Sequence, residues 1–276
     1  MRGILRKLFR HPPWWLRPLW RRWLLRSTGR LLRKEGVHRL VCYDIGARWG
    51  LWSRFHLLPL PIYKVGFEAD PLEAERLVKT GVFDSVVPYA LSAEGGKRTL
   101  YLARDQGSSS VFGPDLQLIA QHCEPDNWTV VGEIPLETIT LGKATEAFKI
   151  PPPDYLKLDV EGAELEILTG GKSLLGNCSG IFFEARLAPF YPGEGLFGDV
   201  CTLLLQHGFS VTSFEPVGSY EGAIMLVDAS ACRNLRLESS RQKLLKSAAF
   251  ALLVDNFEFA LSSLLKVASK KEILIG

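Results

Sequence analysis

Short apolar runs that end in turn or acidic residues recur along the chain, with helical stretches between them. Leu40–Ile45 stops at Gly46, Ile62–Phe67 at Glu68 and Ser85–Leu91 at Ser92. Tyr155–Val160 stops at Glu161-Gly162, and Gly180–Phe183 at Glu184. Runs of this length and bounding predict strands. Pro71–Lys79, Ala163–Leu175 and Leu196–His207 predict helices between them. Such alternation predicts parallel strands joined by right-handed crossovers, an open α/β sheet. Two later runs, Phe209–Phe214 and Ala223–Val227, are joined by a Gly/Pro-containing loop too short for a crossover helix, so they should pair antiparallel.

The same pattern divides the chain. Residues 1–38 form an Arg/Trp-rich extension, 39–228 the main α/β domain, and 229–276 a helical C-terminal extension. Residues 96–150 are less regular, and Arg98–Ala103 and Thr129–Ile134 predict a small β arm over the edge of the site. Near the C-terminus, Phe250, Leu253, Phe257, Leu261 and Leu264 recur at helical spacing, as expected of a helix covering a core edge or an oligomer contact. With 276 residues, 47% of them apolar, the chain has material for one large core.

Charge changes the picture at one end. The net +3 conceals twelve Lys/Arg in residues 1–40 against Glu35 alone, so the rest of the chain is net acidic. Four of the seven tryptophans (Trp14, Trp15, Trp20, Trp23) lie in the same stretch. Pro18–Lys34 predicts a helix with Trp20, Trp23, Leu24 and Leu31 on one face, and Arg22, Arg26, Arg30 and Arg33 largely on the other. Basic, Trp-bearing amphipathic helices bind anionic membrane surfaces. Packing on the acidic body or on a partner, and an RNA-binding arm, are the other readings, with nucleic acid the least favoured. The arginines interrupt any signal-peptide core, and there is no uninterrupted apolar stretch of transmembrane length. Five scattered cysteines without a C-x-x-C pair fit reduced thiols in a cytoplasmic protein, peripheral at the membrane if the extension docks there.

In open α/β sheets ligands bind beyond the carboxyl ends of the strands, near the point where strand order reverses. The first strand ends Asp44-Ile45-Gly46-Ala47-Arg48-Trp49-Gly50. A nucleotide diphosphate favours G-x-G-x-x-G, with bare N–H groups facing its phosphates. Here an acid precedes a G-x-x-x-G spacing, which suits S-adenosylmethionine, a ligand with an ammonium and a sulfonium and no phosphate. The expected cofactor contacts are Asp44, Gly46, Ala47 and Gly50, although such a turn also serves as a plain strand-to-helix connection. Glu68, about twenty positions on, lies where a ribose diol is gripped; Ala69 follows it, and Asp70-Pro71 reads as a helix start. Leu91 and Ser92, ending the third run, fall where an adenine edge would sit. Parallel strands with a terminal antiparallel hairpin predict the Rossmann-like class I methyltransferase arrangement rather than a dehydrogenase.

The most distinctive run is Leu156-Lys157-Leu158-Asp159-Val160-Glu161-Gly162-Ala163-Glu164. Strand alternation puts Lys157, Asp159 and Glu161 on one side, and buried charges must be paired or face a site. Asp159 and Glu161 are the expected catalytic acids, with Asp159 also reaching the cofactor and Glu184 completing the cluster. A Lys157–Asp159 structural pair, with Glu161 as a helix-start carboxylate, is the other reading. The three acids also have the chemistry to hold a divalent metal. Pro151-Pro152-Pro153-Asp154-Tyr155 looks like an amino-methylation motif, but it precedes the fourth strand instead of following it and reads as a stiff lead-in.

Together these residues resemble the FkbM family of S-adenosylmethionine-dependent methyltransferases. The resemblance is carried by Asp44–Gly50, Phe67-Glu68-Ala69, Ala90-Leu91-Ser92, Ser108–Ser110 and Lys157–Glu164, and it covers roughly residues 40–228. Arg48 stands where the family has Asn, and Ala69 where it has the first proline after the acid. The resemblance implies methylation of a hydroxyl on a sugar, glycolipid or other small-molecule acceptor. The competing expectations are a non-catalytic adaptor that uses its terminal extensions on a membrane or protein partner, and a nicotinamide dehydrogenase.

Overall fold

Helix α1 (Arg17–Lys34) precedes a βα series: β1 (Leu40–Ile45), β2 (Ile62–Phe67), α2 (Pro71–Thr80) and β3 (Ser85–Val87). The middle of the chain holds β4 (Ala90–Leu91), β5 (Gly96–Ala103), α3 (Leu116–Ile119), β6 (Val130–Ile139) and α4 (Leu141–Ala147). Then follow β7 (Tyr155–Leu158), α5 (Glu164–Gly170), α6 (Lys172–Leu175), β8 (Gly180–Arg186) and α7 (Phe197–Gln206). The chain closes with β9 (Phe209–Tyr220), β10 (Ala223–Arg233), α8 (Arg241–Leu253) and α9 (Phe257–Val267). This computed structural model describes residues 13–269, 272 and 273. Arg2, Arg6, Lys7 and Arg10 of the basic extension lie outside the described residues.

Seven strands form one sheet in the order β3-β2-β1-β7-β8-β10-β9. The first five in that order run parallel, and β10 is antiparallel to both β8 and β9. Strand order reverses between β1 and β7, which fixes the switch point beyond Ile45 and Leu158. Alternation sends Tyr43, Ile45, Leu156, Leu158, Ile181 and Phe183 to one face, where the α4, α5 and α7 side chains cover them. The opposite face carries Leu40, Cys42, Tyr155, Phe182 and Cys232. A largely parallel sheet needs cover on both faces, yet the β1–β2 connection supplies only a 3₁₀ turn, Ser53–Leu57. The terminal helices fill the deficit. Leu24 and Leu32 of α1, Leu245 and Phe250 of α8, and Leu264 of α9 share this second core. A Cβ on Gly180 would come within 2.2 Å of the Phe250 ring, so the missing side chain there lets α8 settle onto the sheet.

The apolar face of α1 is therefore used inside the fold. Leu32 is fully buried, and Leu32→Ala should lower unfolding free energy by about 2–5 kcal/mol. Arg26→Ala, on the exposed side, should change it by less than about 0.5 kcal/mol. Urea denaturation of the two variants checks this; equal, small effects would mean that the helix merely rests on the body.

Several elements depart from the sequence expectation, each for a local reason. The predicted Ser85–Leu91 strand breaks at Pro88, which has no N–H for the ladder. Its second piece, β4, leaves the main sheet and pairs with β6 in a three-stranded sheet of order β4-β6-β5. Ala163–Leu175 bends into α5 and α6 at Gly170-Gly171. The helical run beyond 240 divides at Asp255, which has positive φ, and Asn256 caps α9. Strand β10 continues through Arg233, past position 228, because its partner β8 itself extends back to Gly180. Among the described residues, no helix is long and apolar enough to cross a membrane. All five cysteines are free.

Candidate active site

The turn after β1 is shaped by what crosses it. Gly46 has φ +80°, and a Cβ there would lie 1.9 Å from the Asp159 carbonyl oxygen. No other residue fits so close an approach. The N–H groups of Gly46 and Ala47 donate to the Phe67 carbonyl at 3.1 and 3.0 Å, and Gly50 N–H closes the turn on the Ala47 carbonyl. Ala47 is buried against Leu77 and Phe83. Asp44 points to the terminal-helix side of the sheet and is completely buried. Its carboxylate accepts from Trp52 N–H at 2.6 Å and lies 3.2 Å from Lys157 Nζ. Burial raises its pKa, opposed chiefly by Lys157. Ala47 and Gly50 thus build the turn with Asp44, and Asp44 does not line the groove beyond it. Its side chain alternates away from the groove and is consumed by Lys157 and Trp52.

Beyond the strand ends lies a groove lined by Gly46, Glu68, Ala69, Leu91, Asp159 and Glu161, with apolar walls from Tyr89 and Ile167. Glu68 is 6% exposed; one carboxylate oxygen accepts from Asp70 N–H at 2.9 Å. The other makes no hydrogen bond among the described residues. Burial raises the Glu68 pKa, with the Asp70 N–H and Arg48 opposing. Asp70 caps α2 through Leu72 N–H. Arg48 pairs with Asp70 at 2.8 Å and donates to Gln106 at 3.0 Å, so it ties the glycine turn to the segment lying over the groove. The enclosed space is ≈ 120 Å³, well under the roughly 300–1,000 Å³ of small-molecule sites. The Gln106–Val111 segment lies along this space. Ser92 is not part of this wall: its hydroxyl meets Thr138 at 2.8 Å and accepts from Gly95 N–H.

At the end of β7, Glu161 adopts φ +53° and Gly162 φ +99°, an uncommon conformation for a non-glycine residue that its surroundings must hold. Buried Glu164 does so by accepting from Val160 and Gly162 N–H at 3.0 and 3.1 Å. Its own burial pushes its carboxyl up to about 7. Ser110, from the serine-rich segment, donates to the Glu161 carbonyl at 2.6 Å and joins the β-rich insert to the turn. The Glu161 carboxylate accepts from Tyr191 Oη at 3.2 Å and from the buried Arg186, which also reaches Glu194 at 3.5 Å. Glu161 is thereby neutralised. Asp159, with its side chain 45% exposed, has one ion pair among the described residues, to Lys157 at 3.3 Å.

Asp159, Glu161 and Glu184 each offer an oxygen within 4.8 Å of the others. The register carries the acids further than the sequence reading did, because Glu184 faces Asp228 and Asp228 faces Glu215 across the sheet. Arg186, Tyr191 and Asp228 were not among the expected site residues. Arg186 was accessible to the alternation rule, standing two positions after Glu184; Asp228 and Tyr191 needed the hairpin register and the loop path.

Burial, reinforced by Asp159 and Glu161, pushes the Glu184 carboxyl up to about 9, and burial with Asp159 lifts Asp228 to about 6. This favours the protonated form of Glu184 at neutral pH, in which it can donate. A raised carboxyl binds an extra proton in the native state between the unfolded value of about 4.5 and about 9. Stability is full below that window and falls as pH rises through it. Glu184→Gln keeps the shape without the ionisation. Urea unfolding should find it equal to the parent near pH 5 and more stable by about 1–3 kcal/mol near pH 9. A difference independent of pH would contradict this.

The reversed strand order, the glycine turn under β7 and an acid ending β2 define a Rossmann-like fold of the class I methyltransferase type. The chain belongs to the FkbM family of S-adenosylmethionine-dependent methyltransferases: the Methyltransferase FkbM domain matches residues 44–211. Among solved structures, it is similar to magnesium protoporphyrin IX methyltransferase from Synechocystis, with 12% identity, 75% of this chain and 76% of that chain covered, and a TM-score of 0.37. It is also similar to a TehB-like S-adenosylmethionine-dependent methyltransferase from Corynebacterium glutamicum, with 9% identity, 75% of this chain and 88% of that chain covered, and a TM-score of 0.35. No curated protein matches the chain.

Proposed function

We propose that the protein transfers a methyl group from S-adenosylmethionine to a hydroxyl of a small-molecule acceptor, a sugar or glycolipid head group being the class favoured. The observation that carries this reading is that Glu68 and Asp159 line one groove. The donor set fits the cofactor: Glu68 has a free carboxylate oxygen for a ribose hydroxyl, and Tyr89, Leu91 and Ile167 offer an apolar wall for an adenine ring. Bound there, S-adenosylmethionine supplies a methyl group on a sulfonium centre.

Methyl transfer is an in-line displacement, so alignment is most of the catalytic task. A carboxylate against the sulfonium would stabilise the ground state more than the transition state, in which that charge is dispersed. Asp159 is therefore assigned to the acceptor. It orients the hydroxyl and takes its proton as the new carbon–oxygen bond forms. Protonated Glu184 donates a hydrogen bond to a neighbouring acceptor oxygen. Glu161, committed to Arg186 and Tyr191, fixes the turn and shapes the acceptor end. Asp159, Glu161 and Glu184 also have the oxygen chemistry of a divalent-cation site, which would acidify the hydroxyl instead; turnover that survives a chelator selects the metal-free route.

The test is methyl transfer from labelled S-adenosylmethionine into a cell extract, followed by fractionation of the labelled product. Label in an O-methylated small molecule supports the reading; label confined to protein, nucleic acid or an amine overturns it. The Arg48–Gln106 closure of a narrow groove favours a second reading, a non-catalytic methyltransferase-like adaptor. Calorimetric titration without any S-adenosylmethionine binding would select it.

A further inference from the structure

The outward side of α1 carries more positive charge than the fold pairs. Arg22, Arg26, Arg30 and Arg33 follow one another at helical i, i+4 and i+3 steps, so they lie on one face. The leucines of the same helix, Leu24, Leu25, Leu31 and Leu32, are buried on the other. Like charges four residues apart destabilise a helix; within the row Arg30 donates to Ser27 Oγ at 3.3 Å, so the surplus charge is that of Arg22 and Arg26. Arg21 is paired with Asp255 at 3.6 Å, and Arg33 donates to the Pro59 carbonyl at 3.3 Å. The guanidinium groups of Arg22 and Arg26 have no ion pair or hydrogen bond among the described residues. The row borders a groove of ≈ 890 Å³ between α1 and the 56–59 segment, with Arg21 and His56 on its walls. Residues 1–12 add Arg2, Arg6, Lys7 and Arg10 and no acid.

Large apolar side chains adjoin the N-terminal end of the row. Trp14 is 80%, Trp15 60% and Leu19 66% exposed. By helical spacing Leu19 shares the arginine side. Tryptophan flanked by arginine is the composition of the membrane–water interface, where rings enter the head-group layer and guanidinium groups meet lipid phosphates. The remainder of the chain is net acidic, so an anionic surface attracts this side and repels the others, which sets one orientation.

We infer that the Arg22–Arg33 face of α1, with Trp14, Trp15 and Leu19 as its apolar edge, docks the protein on an anionic lipid bilayer. The helix lies on the membrane without crossing it, while its leucine side stays in the protein core. This inference does not depend on the methyl-transfer reading.

Vesicle co-sedimentation of the full chain tests it, with phosphatidylcholine vesicles lacking or containing about a third phosphatidylserine. Binding should appear only with phosphatidylserine and weaken steeply as salt rises. Arg22→Glu/Arg26→Glu should weaken it at least about tenfold, and Trp14→Ser/Trp15→Ser should weaken it at unchanged salt dependence. Both variants should unfold at the parent's urea midpoint, which separates lost docking from lost folding. Equal binding to both vesicle types, or none to either, would overturn the inference. So would tighter binding of a single-stranded RNA oligomer through the same arginines, which would assign the face to nucleic acid.

Discussion

Replacing Asp159 with asparagine is expected to lower kcat by about 10²–10⁴-fold, the range for removing a positioned general base, while the dissociation constant for S-adenosylmethionine stays within about threefold. The split follows from the geometry. The Asp159 carboxylate is the most exposed of the acid cluster and among the described residues pairs only with Lys157, whereas Glu161 is held by Arg186 and Tyr191 and burial favours the protonated form of Glu184. Losing the charge of Asp159 does not strand Lys157, which keeps Asp44 at 3.2 Å and the Gly46 carbonyl at 3.1 Å. The fold should therefore survive, and single-turnover rates with the labelled cofactor separate chemistry from binding. A parallel loss of cofactor affinity would instead place Asp159 against the cofactor. An unchanged kcat would remove it from the chemistry.

The second large effect falls on binding. Glu68→Ala should weaken S-adenosylmethionine at least about 100-fold, since two hydrogen bonds to an ionised acceptor contribute about 1.5–3 kcal/mol each and 1.4 kcal/mol is tenfold. Glu68 already gives one oxygen to Asp70 N–H, and this anchor holds the other towards the groove. Glu68→Gln separates the two functions. The amide still accepts from Asp70 but loses the charge, so affinity should fall to an intermediate value. Calorimetry on both variants, with NAD as a comparison ligand, checks the series. Equal affinities for parent and Glu68→Ala would detach this residue from the cofactor, and tighter NAD binding would return the dehydrogenase reading.

The order of the main elements was legible because each rests on a local rule. Leu40–Ile45 and Ile62–Phe67 fall where the apolar runs predicted, and Asp70-Pro71 starts α2 as its residue types require. The hairpin was legible from the shortness of its loop. What escaped was set by long-range packing. The wet or dry side of Asp44 depends on β1 alternation relative to a layer of helices contributed by both ends of the chain. The tryptophan–leucine pattern of α1 was compatible with a membrane, a partner or the body, and only the deficit of cover over β1 and β7 shows where its leucines go. The split of Ser85–Leu91 was announced by Pro88, although the second sheet that receives Ala90–Leu91 was not. Asp159 and Glu161 were both expected as catalytic acids, and what separates their surroundings is Arg186, a residue 25 positions beyond Glu161.

In the proposed cofactor groove Glu68 would grip the sugar end and Asp159 would face the reacting end. A crystal structure with S-adenosylhomocysteine measures this directly. The predicted result has the ribose hydroxyls within hydrogen-bond distance of the Glu68 carboxylate, the Gln106–Val111 segment displaced outward, and the sulfur on the Asp159 side of the adenosine. Ligand density away from Glu68, or a groove still closed by Arg48 and Gln106 at saturating ligand, would contradict it.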